Sequence, residues 1–231
     1  MERCVEPELL DELPPADPRA VRSRDDLLRV NAWMGNGEFM VQALRSTCNA
    51  RAAWRLVDLG TGDGRFLLRT ARQLHPYWQG TYAVLLDRRN AVSPETHKAF
   101  GALGWRTETR EADVLDWLAR PADTTYDVLI ANLFLHHFRD AQLARLLRAA
   151  AGLARVFIAV EPRRWGPSLF FSRCLGLIAC SRVTRHDAVV SVQAGFHERE
   201  LSRLWPAGGY WTLQEHPAGW CSHLFVARRR E

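Results

Sequence analysis

Three stretches of the chain combine glycines, acids or imidazoles in ways that suit ligand binding or proton transfer. The first is Val57-Asp58-Leu59-Gly60-Thr61-Gly62-Asp63-Gly64-Arg65-Phe66. Glycine at alternate positions lets the backbone turn sharply and lets a ligand approach it with no Cβ in the way. Asp58, two residues before the first glycine, is awkward for a pyrophosphate and suits a ligand carrying an ammonium group. The G-x-G-x-G spacing also differs from the G-x-G-x-x-G of dinucleotide sites, which disfavours a nicotinamide oxidoreductase, and no G-K-[ST] follows to make a P-loop. The second stretch is the pair His136-His137. Imidazole, with an unperturbed pKa of about 6.5, is a natural general base. Adjacent residues of an extended chain point oppositely, so one of the two is expected to face a cleft. The same pair could instead pack and hydrogen-bond within a pocket wall. The third is Glu161-Pro162-Arg163-Arg164, where Glu161 or Arg163 could touch a ligand oxygen, or the charges could pair with each other or cap the next helix. His186-Asp187 reads as a loop or a cap, since sequence neighbours seldom face each other. His75, His97, His197, His216 and His223 are dispersed, and no metal site is expected.

These groups need elements to hold them. Leu56 to Leu59 is a short apolar run that reads as a buried strand ending at the glycines. Helical spacing follows over 65–74, a second strand over 82–87, a helix over 94–103, a partly polar strand over 106–111, a buried strand over 126–131, an amphipathic helix over 140–151 and a buried strand over 156–160. Strand and helix alternate with short connections, which is the pattern of βαβ units and a parallel sheet covered on both faces. Near-continuous apolar strands suit such a sheet. The expected fold is α/β, a Rossmann-like doubly wound, mostly parallel sheet, with helices on both faces and an antiparallel terminal strand from the segments 210–215 and 222–227. A helix is expected near 165–178, an irregular stretch to Gly195, and a helix over 197–205. Residues 1–20 read as an irregular lead-in, and two helical pieces follow to residue 48, broken at Met34-Gly35-Asn36-Gly37. The predicted organisation is an N-terminal helical lid or appendage over 1–50 and a main domain over 51–231. In open α/β sheets ligands bind outside the carboxyl ends of the strands, where all three stretches fall.

The 231 residues are 47% hydrophobic and 25% charged, as in an ordinary globular domain. The net charge of +5 comes from arginines scattered among acids, with Lys98 the single lysine. A nucleic-acid footprint would cluster on one stripe. The N-terminus is acidic and does not read as a secretory signal. The most apolar stretch, 169–180, is short of the roughly 20 residues a membrane span needs. The five cysteines, Cys4, Cys48, Cys174, Cys180 and Cys221, include no C-x-x-C pair and fit a reducing cytoplasm.

The run from Asp58 to Gly64 resembles the first motif of the class I S-adenosylmethionine-dependent methyltransferases. The resemblance continues in order along the chain. Asp87, ending the second strand, resembles the acid that holds the cofactor's ribose hydroxyls, with Arg88 beside it. Asp113 and Val114 resemble the residues placed near the adenine. Asn132-Leu133-Phe134-Leu135-His136-His137-Phe138 resembles the segment after the fourth strand of small-molecule members, and 195–201 the segment before their late helix. The resemblance implies S-adenosyl-L-methionine as cofactor, bound by Asp58, Gly60, Thr61, Gly62, Gly64, Asp87, Arg88, Asp113, Val114, Asn132, Leu133 and His137. Asn31 to Asn36, Glu161 to Arg164 and His186 to Ser191 are similar to a narrower group. These are bacterial stand-alone methyltransferases encoded beside type III polyketide synthases, distantly related to the ubiquinone and menaquinone methyltransferases. That likeness implies an aromatic, quinone-like or polyketide-derived acceptor methylated at O or C, and a functional association with a polyketide synthase. Trp33, Met34, Glu161, Arg163 and Phe170 are the expected acceptor contacts, and His136 or His137 the expected base. The proline-rich [N/D/S]-P-P-[Y/F] motif of amino-group methyltransferases is missing at Asn132, so a nucleic-acid substrate is not expected. Two other uses of the same pocket stay open: non-methylating chemistry with the same cofactor, and a non-catalytic partner of a synthase, for which an intact glycine loop would be unusual.

Overall fold

The computed structural model describes residues 1–48, 53–119 and 125–230. The predicted division between residues 50 and 51 lies outside them. The elements run α1 (Leu9–Glu12), α2 (Pro18–Met34), α3 (Asn36–Thr47), β1 (Arg55–Leu59), α4 (Arg65–Leu74), β2 (Tyr82–Asp87), α5 (Pro94–Ala102), β3 (Arg106–Glu111), α6 (Val114–Ala119) and β4 (Tyr126–Asn132). They continue with α7 (Asp140–Leu153), β5 (Ala154–Pro162), α8 (Gly166–Cys174), α9 (Arg182–Ala194), α10 (Glu200–Leu204), β6 (Trp211–Ala218) and β7 (Ser222–Arg229). One sheet of seven strands has the order β3-β2-β1-β4-β5-β7-β6. The first five are parallel, and β7 runs antiparallel to both β5 and β6. The predicted fold class holds, including the antiparallel edge.

Strand alternation divides the core in two. Leu56, Leu85, Val128, Ile130 and Ile158 face one layer, where Met40 and Leu44 of α3 and Leu67 and Leu74 of α4 meet them. Val57, Leu59, Leu86, Leu129 and Phe157 face the other, against Leu143, Leu146 and Leu147 of α7 and Leu201 of α10. A period of two residues per strand sends neighbours to opposite faces, so both layers draw on the same apolar runs. Trp54, Trp78 and Trp105 stack in series at the end of the first layer, with centroids 5.2 and 6.5 Å apart.

Four segments depart from the sequence expectation, the first being α6, a short helix between β3 and β4 where no element is expected. The stretch expected to be irregular up to Gly195 contains α9, which packs against α1, α2 and α8. Its valines and threonine have modest helix propensity. Burial of Thr184, Val190 and Val192 overrides that preference. The helix expected over 165–178 ends at Cys174 and tightens into a 3₁₀ turn, Leu175–Ile178. The lead-in holds the short α1 and the start of α2, which Asp17 caps through the Arg19 amide with Pro18 in its first turn. Gly35, with φ of +75°, ends α2 and starts α3, at the predicted break.

Leu44 of α3 is fully buried in the first layer. Leu44→Ala should lower the free energy of unfolding in urea by about 2–5 kcal/mol, the range for a buried leucine that leaves a cavity. A loss below about 1 kcal/mol would mean that α3 rests on the sheet without being part of its core.

Candidate active site

At the carboxyl ends of the parallel strands β1 and β2, three successive amides of the glycine turn face β2. Gly60 and Thr61 both donate to the Leu86 carbonyl, at 2.9 and 3.1 Å. Gly62 donates to Asp87 Oδ2 at 2.9 Å. Gly60, Gly62 and Gly64 all have positive φ, of 70°, 59° and 75°. Such values favour glycine. The three are not equivalent. A Cβ on Gly60 would lie 2.1 Å from Phe134 Cδ2, so that glycine makes room for a side chain of the protein itself. A Cβ on Gly64 would meet Thr96, Leu85 and Val92, and this residue starts α4. A Cβ on Gly62 would meet nothing within 4 Å and would stand in open space.

That space is a cleft of about 500 Å³. Asp58, Gly60, Thr61, Gly62, Asp87, Arg88, Asp113, Val114, Asn132, Leu133 and His137 line it, which brings together every predicted cofactor residue except Gly64. Asp58 is buried beneath the turn and accepts a hydrogen bond from the Thr61 hydroxyl at 2.7 Å. Burial pushes its carboxyl up to about 7, against the opposing bond from Thr61, and the charge of Asp87 adds to the rise. Burial raises the Asp87 carboxyl too, although the Gly62 and Arg89 amides donate to it. Asp113 lines the cleft and accepts from the Leu115 amide at 2.8 Å, which caps α6. Asn132 donates to Asn31 Oδ1 at 3.0 Å, and its own Oδ1 is buried without a partner. Leu133 has φ of +51°, a conformation costly for a branched side chain, at the point where the chain leaves β4 for the cleft.

The two histidines sit on a 3₁₀ turn, Leu135–His137, not on extended chain. Their rings lie 4.3 Å apart, centroid to centroid. His137 lines the cleft and His136 does not. His136 is buried with both nitrogens engaged: Nδ1 on Glu161 Oε2 at 2.8 Å and Nε2 on Glu8 Oε1 at 3.2 Å. Burial alone would lower its pKa. The hydrogen bonds and charges of Glu161 and Glu8 override this and raise it to about 9. Glu8 moves the opposite way: burial would raise its pKa, but His136, His137 and Ser191 hold it below the ordinary value.

Glu161 is fully buried and turned away from the cleft. Its Oε1 accepts from the Phe134 and Leu135 amides at 3.0 and 2.8 Å. It anchors the turn after β4 and lines neither cavity, contrary to its expected contact with an acceptor. Arg163 also lies off both cavities, its guanidinium 3.8 Å from the centroid of the Trp165 ring.

A second, apolar cavity of about 70 Å³ adjoins the cleft. Trp33 and Met34, two of the residues expected to contact an acceptor, line it. Phe170 does not; it is 64% exposed, and its neighbour Phe171 takes the position in the wall. One residue on a helix is a turn of 100°, so the aromatic that reaches this wall is the one after the residue expected there. Glu8, Leu10, Leu27 and Leu133 border both cavities.

The largest group missed in the sequence is the N-terminal segment. Residues from Val5 to Leu13 form one wall of the cleft. Arg3 ties the segment down through the carbonyls of Ala194, His136 and Phe138 and through Asp140. Asp187 accepts from the Leu9 and Leu10 amides at 2.8 and 3.0 Å, so it caps α1 from within α9. Acid-rich, proline-rich sequence carries no periodic signal for such a role. The surplus of acids, Glu8 and Asp11, opposite two histidines was the one available hint.

Residues 56–155 match the family profile described as Methyltransferase domain. Among solved structures the chain is similar to an O-methyltransferase family protein from Burkholderia thailandensis (18% identity over 94% of this chain and 62% of that one, TM-score 0.56). It is also similar to magnesium protoporphyrin IX methyltransferase from Synechocystis PCC 6803, solved with bound S-adenosylhomocysteine (16% identity, 85% and 83% covered, TM-score 0.52). A third is the mitomycin 7-O-methyltransferase MmcR (16% identity, 95% and 60% covered, TM-score 0.56). The chain spans about three fifths of the length of the first and third. At these identities the likeness is one of fold. No curated protein sequence matches. Among the described residues no helix is long and apolar enough to cross a membrane. The matched stretch, 56–155, runs from β1 through α7 and includes the glycine turn.

Asp58 supplies a pH test of this geometry. An acid with pKa about 7 in the folded chain and 3.8 as its ordinary value keeps its proton longer when folded. Stability therefore falls as pH rises from about 4 to 7 and is then level. Asp58→Asn removes that penalty. The variant should melt higher than the parent at pH 8, by on the order of 5 °C, and close to the parent at pH 4.5. An equal difference at both pH values would place the ordinary carboxylate pKa on Asp58.

Proposed function

We propose that the protein transfers a methyl group from S-adenosyl-L-methionine to an oxygen or carbon of a small apolar acceptor, aromatic, quinone-like or polyketide-derived. The observation that carries this reading is the open space over Gly62, floored by a glycine turn and flanked by Asp58 and Asp87. The residues present fit the cofactor. A buried carboxylate that titrates near neutrality is suited to an ammonium. Asp87, at the end of β2, is suited to a pair of ribose hydroxyls, and Asn132 Oδ1 is an acceptor still in want of a donor. Asp113 and Val114 stand where an adenine would lie if Asp87 holds the ribose. Gly60 shapes the turn at the edge of the cleft, and Gly64 starts α4 outside it. When bound, the cofactor supplies an activated methyl on a sulfonium.

The protein's own part is then alignment and exclusion of water. Holding an acceptor in line with the reacting bond contributes several kcal/mol, within a ceiling of about 7–11. The apolar cavity behind Leu133, with Trp33, Met34 and Phe171, is the acceptor side of this reading, and the border residues Glu8, Leu10, Leu27 and Leu133 mark where the two ligands meet. His137, on the cleft wall, is the histidine placed to take a proton from an acceptor hydroxyl. His136, held between two carboxylates, is a positioning residue. An association with a polyketide synthase would supply such acceptors.

Calorimetric titration with S-adenosylmethionine tests the reading. Gly62→Val should abolish binding while far-UV circular dichroism keeps the helix and strand signal, because the side chain enters the ligand's space and the strain of a branched residue at φ +59° falls on the turn itself. Unchanged affinity in that variant would contradict the placement of the pocket. Affinity in the parent should rise about fivefold between pH 6 and 7.4 as Asp58 ionises, then level and fall above about pH 8 as the ligand's own ammonium loses its proton. In Asp58→Asn the rise should vanish. Transfer of labelled methyl from the donor into small molecules of a host extract would follow, and product formed without label would favour non-methylating chemistry.

A further inference from the structure

The histidine turn holds a second arrangement that methyl transfer by itself does not require. Glu8, His136 and His137 present one ligand atom each, all within 4.8 Å of one another. Glu8 Oε1 stands 3.2 Å from His136 Nε2, and Glu8 Oε2 stands 4.0 Å from His137 Nε2. Two ligand atoms about 2.0–2.1 Å from a tetrahedral ion lie about 3.3 Å apart. The first pair already has that spacing, and the second needs to close by about 0.7 Å. Behind the ring nitrogens stand two more carboxylates. Glu161 Oε2 is 2.8 Å from His136 Nδ1, and Asp11 Oδ2 is 3.1 Å from His137 Nδ1. A carboxylate on the far nitrogen of each imidazole holds a proton there, the support that metal-ligating histidines almost always have, and at His136 an ion on Nε2 would displace the proton now shared with Glu8. Three carboxylates around two imidazoles also leave a negative charge that a dication would balance.

We propose that Glu8, His136 and His137 form a divalent-cation site of the zinc class, with Glu161 and Asp11 as its outer supports. Two nitrogens and one carboxylate oxygen suit zinc, and equally cobalt or nickel as substitutes, better than magnesium or calcium, which take oxygen. Three protein ligands leave a fourth position open, as in catalytic sites. Glu8 borders both the cleft and the apolar cavity, so that position falls beside the junction of the two. The ion joins the N-terminal segment to the turn after β4, which nothing else in the first eight residues does through a side chain of the cleft wall. With an ion bound, His137 serves as ligand, and an acceptor hydroxyl that reached the open position would be acidified by the ion instead of by imidazole.

In the sequence no metal site is expected, since His75, His97, His197, His216 and His223 are dispersed. The 3₁₀ turn brings His136 and His137 together. The third ligand lies more than a hundred residues away, on a segment with no recognisable metal spacing.

The test uses the full chain, stripped with a chelator and titrated with cobalt(II), followed by competition with zinc(II). It needs neither methyl donor nor acceptor, so its failure would leave the methyl-transfer reading untouched. One cobalt per chain should bind with the visible ligand-field bands of a four- or five-coordinate N/O site and without thiolate charge-transfer absorption. Glu8→Gln and His137→Ala should each abolish stoichiometric binding while circular dichroism remains native. Asp11→Asn, which touches only the outer nitrogen of His137, should weaken binding by about 10–100-fold. Absence of stoichiometric binding, a thiolate spectrum from the cysteines, or binding that survives in both Glu8→Gln and His137→Ala would overturn the proposal.

Discussion

Two strand ends held side by side decide the shape of the site. The parallel register of β1 against β2 places Leu59 opposite Leu86, so that the chain leaving β1 meets the chain leaving β2. Three amides of the glycine turn then bond to Leu86 and Asp87. These bonds need positive φ at alternate residues, which only glycine adopts without strain. The turn leaves its upper surface bare and brings two carboxylates, Asp58 and Asp87, to the same cleft, where the charge of Asp87 adds to the rise of Asp58. Placing both there is costly, and burial raises both pKa values. A site that keeps acids against their solvation preference is expected where a ligand repays the cost.

A second carboxylate does comparable work one strand over. Glu161, at the end of β5, accepts two amides and an imidazole from the segment after β4. Buried charge of this kind is tolerable only when each oxygen is met by donors. The effect is to fix Phe134, His136 and His137 as a unit, with Phe134 pressed against Gly60. The glycine turn and the histidine turn are therefore coupled sterically across the cleft. The N-terminal segment closes the unit from above through Glu8 and Asp11. Cleft, apolar cavity and histidine cluster share these residues, and a change at Glu8 reaches all three.

Much of this was legible in the sequence, and the boundary of legibility is physical. Strands β1, β2, β4 and β5 are continuous apolar runs between turn residues, and a sheet buried on both faces imposes that pattern. The glycines and acids of the cleft follow from the turn they make. Which way Glu161 points could not be read, because both faces of a buried strand are apolar and periodicity loses its sign. Phe170 and Phe171 were separated only by helical phase, which a nine-residue helix with apolar residues on several faces does not declare. Helix α9 was hidden by its β-branched residues, whose burial outweighs their propensity. The role of residues 1–13 depends on contacts with α9 and the turn after β4, far along the chain, and no local pattern encodes them. The histidine pair was noticed for its chemistry, but its geometry came from a 3₁₀ turn that replaced the extended chain expected there.

The most direct measurement is a crystal structure of the full chain grown with S-adenosylmethionine. The account predicts donor density over Gly62, with the ammonium toward Asp58, the ribose on the Asp87 carboxylate and the adenine beside Asp113. Density at another edge of the sheet, or a crystal with this cleft occupied only by solvent at saturating donor, would contradict it.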